Sequence, residues 1–164
     1  MRIKDEFVKL IKEHEGIIFK ITSVYTDHKA DQQDLYQDIV YQLWKYFDSF
    51  RKESKFSTWM YRVALNTAIT HLKKEKRNGQ KVATDQLDFL AYDAPDPVME
   101  DRLNVMYAQI RKLNDLEKGL VLLLLEGKSY QEIAGISGIS PSNVGTRLSR
   151  IKQKLKSNIT KTTH

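Results

Sequence analysis

The sequence predicts an all-α protein built as two small helical domains joined by a flexible linker, the C-terminal one a helix-turn-helix domain. Three observations predict it. Apolar residues recur at helical spacing almost throughout the chain. That spacing lapses once, over an acidic stretch containing prolines. Finally, the segment from Gly127 to Lys156 carries the punctuation of two helices around a glycine turn. No internal repeat is visible, and no strand-like alternation lasts long enough to argue for a sheet. The expected boundaries are 1–78 for the first domain, 79–97 for the linker and 98–164 for the second.

The first helix or helix pair is expected from about Asp5 to Thr26, because Phe7, Leu10 and Ile11, then Ile17, Ile18 and Ile21, line one stripe. Leu35, Ile39, Leu43, Tyr46 and Phe47 continue the pattern. Ser57 or Thr58 is the expected cap of a third helix, with Trp59, Val63 and Ile69 on its apolar face. That helix runs into Lys73, Lys74, Lys76 and Arg77, where cations suit the negative end of the helix dipole. From Asn78 to Pro97 the periodicity fades while Asp85, Asp88, Asp93 and Asp96 enter without compensating lysines, which is linker composition. Helical patterns resume from Val98 to Leu113 and from Glu117 to Leu125.

A chain of 164 residues with 41% hydrophobic and 29% charged residues can build packed cores, and 3 prolines and 7 glycines leave helices uninterrupted. With no cysteine, disulfides, thiolate metal sites and thiol nucleophiles are all excluded, which suits a cytoplasmic location. The segment from Met1 to Leu10 is broken by Lys4, Asp5, Glu6 and Lys9, unlike a signal peptide, and the longest apolar run, Leu120 to Leu125, is too short to span a bilayer. A net charge of +6 matters less than its placement. Between Glu53 and Glu75 every charged side chain is basic, and no acidic residue follows Glu132. Two separated basic surfaces suit extended nucleic acid.

The C-terminal motif is the most specific local signal. Ser129 is a cap for a short helix holding Ile133, Ala134 and Ile136, Gly138 permits the turn, and Ser140 with Pro141 starts the next helix. Val144, Leu148, Ile151 and Leu155 then form one buried stripe, leaving Ser142, Asn143, Thr146, Arg147 and Arg150 outward. Short polar groups and arginines at a helix start are suited to reading base edges in a major groove, while Lys152, Lys154 and Lys156 suit phosphates. The bland alternative is a helical hairpin with a solvated basic face.

In the segment from Ser49 to Arg77, aromatics interleave with cations, as a protein holding unstacked bases requires. Phe56 and Trp59 are expected in the core. Tyr61, Arg62 and Asn66 are expected on an exposed face, where Asn66 can grip a base edge.

These residues resemble the extracytoplasmic-function sigma factors of bacterial RNA polymerase, in both halves and in order. Asp34-Leu35-Tyr36-Gln37-Asp38 with Leu43-Trp44 is similar to the family's polymerase-binding helix, and Asp48-Ser49-Phe50-Arg51 to its exit. Phe56 to Asn66 resembles the signature opening the -10-reading helix, and Tyr130-Gln131-Glu132-Ile133-Ala134 with the helix after Pro141 resembles the -35-reading domain. The resemblance implies that Asp34, Gln37, Asp38, Tyr41 and Trp44 dock on the clamp helices of the polymerase's largest subunit. It implies that Asn66 captures a flipped -10 base, with Tyr61, Arg62, Lys73, Lys74 and Arg77 beside it and the loop from Arg51 to Phe56 shaping the pocket. It places Ser142, Asn143, Thr146, Arg147, Arg150 and Lys154 at the -35 element. Gly145 departs from the family, standing where many members carry a basic or bulky polar residue. An anti-sigma partner is common in the family, and the acidic linker is compatible with the family's path through the polymerase.

Two other readings compete. A self-sufficient helix-turn-helix regulator would form a dimer on palindromic half-sites, whereas a sigma factor is expected to be monomeric when free. Catalysis has little to stand on: His14, His28, His71 and His164 lack ligand spacing, and no glycine-rich phosphate loop occurs, so neither metal nor cofactor is expected.

Overall fold

A computed structural model describes residues 2–50, 55–78 and 101–162, with side chains for 3–50, 55–74 and 105–158. The expected linker, 79–97, lies outside the described residues. The chain divides into two compact units, Met1–Pro95 and Asp96–His164. Every regular element among the described residues is helical.

The first unit holds α1 (Arg2–Glu13), α2 (Glu15–Tyr25), α3 (Lys29–Tyr46), a 3-10 turn (Phe47–Ser49) and α4 (Phe56–Asn78). The first stretch is thus a pair of helices, parted at His14, whose ring nitrogen lies 2.9 Å from the Leu10 carbonyl. Helices α2, α3 and α4 pack mutually. At their junction Ile18, Ile21 and Val24 of α2, Leu35, Ile39 and Leu43 of α3 and Met60, Ala64 and Ala68 of α4 are all fully buried.

The start of α4 differs from expectation. Its first intrahelical bond runs from the Trp59 N–H to the Lys55 carbonyl at 3.2 Å, so Ser57 and Thr58 lie within the first turn rather than capping it. An aromatic cluster sets this start instead. Trp59 has ring neighbours Phe50 at 5.2 Å, Phe56 at 5.5 Å and Phe47 at 6.3 Å. Phe7 of α1 continues the cluster to Phe47 at 5.2 Å and Trp44 at 5.0 Å. Tilted and edge-on pairs at these distances add to the area they bury. The buried face of α4 is also wider than expected, because both α2 and α3 press on it. Met60, Tyr61, Ala64, Leu65 and Ala68 are buried beside Trp59, while Val63 and Ile69 are only half-buried.

The second unit holds α5 (Asp101–Arg111), α6 (Asp115–Leu125), α7 (Tyr130–Ser137) and α8 (Pro141–Thr162). Two reciprocal capping boxes start α6 and α7. Asn114 accepts from the Glu117 N–H at 2.8 Å and Glu117 accepts from the Asn114 N–H at 3.1 Å; Ser129 and Glu132 repeat the arrangement at 3.1 and 3.0 Å. Gly138 ends α7 at φ 84°, in the left-handed region that favours glycine, and its N–H donates to the Ala134 carbonyl at 2.8 Å. Ser140 then caps α8 through the Asn143 N–H at 3.1 Å. Val144, Leu148 and Ile151 are buried as expected where α8 packs on α6 and α7, while Leu155, expected in the same stripe, is only half-buried.

Trp59 joins three aromatic neighbours at 8% exposure. Trp59→Ala is therefore expected to cost about 3 kcal/mol of folding stability, within the range for large aromatics removed from a core. Urea unfolding followed by helical circular dichroism measures it.

Candidate nucleic-acid interface

Helix α4 buries one side against α2 and α3 and leaves the other to solvent. Arg62, Asn66, Thr70 and Lys74 are spaced four apart, so they form one stripe along that free side, and all four are exposed. Across from them α3 and the turn after it supply Asp38, Gln42, Lys45, Tyr46 and Ser49. Between the two walls runs an open groove of about 590 Å³, with Trp59, Val63, Thr67 and His71 completing it. Its chemistry is mixed: amides and hydroxyls that donate and accept, three cations, and the ring of Tyr46, which is 45% exposed. Such a groove can admit one flat polar group and hold an anion at its rim.

A hydrogen bond ties its two walls. His71 Nδ1 lies 3.0 Å from Asp38 Oδ2, so the ring N–H donates to a carboxylate on the neighbouring helix. Both side chains are mostly shielded, at 13% and 29% exposure.

Of the residues expected at a -10 site, Arg62, Asn66, Lys73 and Lys74 are exposed, and all but Lys73 line the groove. Tyr61 corrects the expectation. It is 1% exposed, one residue from the stripe and therefore turned about 100° into the core. The side chain of Arg77 and the loop residues 51–54 lie outside the described residues. Sequence reasoning missed Gln42, Lys45, Tyr46, Ser49, Thr70 and His71. The four-residue spacing of Arg62, Asn66, Thr70 and Lys74 was a usable signal for Thr70 alone.

Asp34, Gln37, Asp38, Tyr41 and Trp44 are all partly exposed along α3. At about 100° per residue they span roughly a third of the helix circumference. Asp38 sits at the border with the groove, bonded to His71. Trp44 sits at the other border against Phe7 of α1. One face is thereby continuous from α1 to the groove.

In the second unit, Ser142, Asn143, Thr146 and Arg150 are exposed and Arg147 is half-exposed on α8. Arg147 Nε donates to Asn143 Oδ1 at 3.2 Å, and the Thr146 hydroxyl to the Ser142 carbonyl at 3.2 Å, so several of these groups are held in place. Lys154 stands apart from them. Its ammonium lies 3.7 Å from Glu117 Oε1, the same oxygen that accepts from the Asn114 N–H, which places it on the flank facing α6. The structure also fills the vicinity of Gly145. A β-carbon there would lie 3.4 Å from Cε2 of Tyr130, a neighbour sequence reasoning did not supply.

Comparisons with known proteins agree across both units. The profile described as Sigma-70 region 2 matches residues 10–78, and that described as Sigma-70, region 4 matches 103–155. The ECF RNA polymerase sigma-E factor of Escherichia coli K12 is 27% identical over 161 residues, covering 91% of this chain and 84% of that protein. The RNA polymerase sigma factor YlaC of Bacillus subtilis is 28% identical over 166 residues, covering 98% and 96%. In fold, the chain is similar to the sigma factor RpoE in its co-crystal structure with the anti-sigma factor NepR from Bartonella quintana. The TM-score is 0.73 at 18% identity, over 94% of this chain and 97% of that one. CnrH, solved with the cytosolic domain of CnrY, gives a TM-score of 0.64 at 20% identity, over 95% and 88%.

The hydrogen bond and the ion pair should differ in worth. His71→Ala is expected to cost about 1 kcal/mol, as loss of a largely shielded hydrogen bond does. Lys154→Ala is expected to change stability by less than about 0.5 kcal/mol, since its side chain is 55% exposed and screened by solvent. Parallel urea titrations of the two variants compare them.

Proposed function

The chain belongs to the extracytoplasmic-function group of the sigma-70 family, and from that premise we propose that its two units read two separate promoter elements. Its activity is promoter-specific transcription initiation by RNA polymerase, the work of an initiation factor. Among the described residues no helix is long and apolar enough to cross a membrane.

In this reading the first unit melts the -10 element and traps its non-template strand. The observation that carries it is the stripe of Arg62, Asn66 and Lys74 beside a groove of about 590 Å³. Asn66, exposed in the groove wall, has an amide able to donate to and accept from one base edge. Arg62 and Lys74 flank it and follow the backbone, while Lys73 and Arg77 lie farther along the same basic helix end. Extruding a base costs a few kcal/mol of stacking and pairing, which contacts of this kind offset. Tyr61 takes no direct part, being buried.

The second unit anchors upstream duplex. Ser142, Asn143, Thr146, Arg147 and Arg150 face the major groove of the -35 element from α8. Lys154 meets a phosphate only by leaving Glu117, a small cost for an exposed pair. The face of α3 carrying Asp34, Gln37, Asp38, Tyr41 and Trp44 docks on the clamp helices of the polymerase's largest subunit. Polymerase sets the separation of the two units, so each modest contact raises the effective concentration of the other. An anti-sigma protein that covers either surface would silence the factor, and both solved neighbours are held in complex with a second protein, the anti-sigma factor NepR and the cytosolic domain of CnrY.

Run-off transcription with core polymerase tests the whole reading: the purified chain should confer initiation that core enzyme alone lacks. Asn66→Ala should lower open-complex yield about tenfold, as loss of a base contact worth about 1–3 kcal/mol implies, while core binding stays unchanged. Unaltered permanganate reactivity at the -10 element would remove Asn66 from that role. Asp34→Lys should instead weaken co-purification with core polymerase, and undiminished co-purification would remove it from the docking face.

A further inference from the structure

We propose that Tyr130 is a specificity-determining residue of the -35-reading surface, its ring seated over Gly145 to contact the methyl group of a thymine. This rests on the reading of the second unit given above and adds a residue from a different helix to it.

Tyr130 opens α7, directly after the Ser129 cap, and is 40% exposed. The buried residues of α7 are Ile133 and Ile136, so the core does not account for this ring. Its edge instead lies on α8. A β-carbon at Gly145 would stand 3.4 Å from Tyr130 Cε2 and 3.6 Å from Cδ2. A β-carbon alone would thus make ordinary contact with the ring, and it is a longer side chain at 145 that would compete with it for space. Glycine inside a helix is otherwise unfavourable, and here it leaves that space to Tyr130.

Position 145 is three residues after Ser142 and four before Ser149, so all three share one side of α8. Ser142, Thr146 and Ser149 there are exposed and short. Tyr130 is therefore the large apolar group at this edge of the reading surface. In a major groove the one apolar feature of the bases is the thymine 5-methyl, which an aromatic or methyl-bearing side chain contacts. The ring lies where such a contact supplements the polar readout from Asn143 and Arg150.

The test uses holoenzyme assembled from the full chain and core polymerase, binding promoter DNA in which each -35 thymine is replaced in turn by uracil. Parent and Tyr130→Phe are expected to prefer thymine at one position by about fourfold, the factor that burying one methyl-sized group corresponds to. Tyr130→Ala should lose that preference while its thermal unfolding stays close to the parent's. Gly145→Leu, which displaces the ring, should lose it too and add nothing in combination with Tyr130→Ala. If Tyr130→Ala keeps the preference, or Tyr130→Phe weakens all promoters equally through the lost hydroxyl, the proposal is overturned. Arg150→Ala serves as reference. If it binds the -35 element as the parent does, the reading of the whole unit fails; if it loses binding while Tyr130→Ala keeps the preference, only the role of Tyr130 does.

Discussion

The packing of Trp59 against Phe47, Phe50 and Phe56 is the contact on which the first unit depends. It determines where α4 begins and how it is rotated about its axis. Rotation is what matters for function, because side chains on a helix face directions fixed about 100° apart by sequence order. With Trp59, Met60 and Ala64 inward, Arg62, Asn66 and Lys74 have only the solvent side left to occupy. The aromatic cluster extends through Phe7 to Trp44, so the same packed group also supports the face of α3 proposed to dock on polymerase.

A different constraint governs the second unit. The helix-turn-helix is defined by backbone hydrogen bonding at its ends more than by aromatic area. The Ser129–Glu132 box, the left-handed Gly138 and the Ser140 cap each satisfy groups that a helix terminus leaves without partners. They bound α7 at eight residues, and the apolar stripe of α8 then closes on α6 and α7. The proposed reading surface is bordered on two sides: Lys154 leans toward Glu117 on one flank, and Tyr130 stands beside Gly145 on the other.

Much of this was legible in the residues. Helix positions, the turn at Gly138, both serine caps of the motif and the buried stripe of Val144, Leu148 and Ile151 follow from local hydrogen bonding and periodicity, which act within a few residues. The errors lie where two or more elements meet. Tyr61 looked like an exposed aromatic beside cations, yet α2 and α3 together cover a wider arc of α4 than a single partner would. Ser57 and Thr58 looked like caps, yet aromatic packing started the helix before them. The bond of Asp38 to His71, thirty-three residues away, was not foreseen, because it has no local signature.

The order and identity of the helices, the charge of each basic surface and the position of the turn were thus determined by the sequence alone, since propensity, capping and net charge are properties of short segments. The tertiary structure alone decided which wall faces Asn66, that His71 bridges α3 to α4, and that a tyrosine from α7 stands beside Gly145 of α8. Those contacts arise from the rotation and distance of helices about one another, which depend on packing summed over many residues.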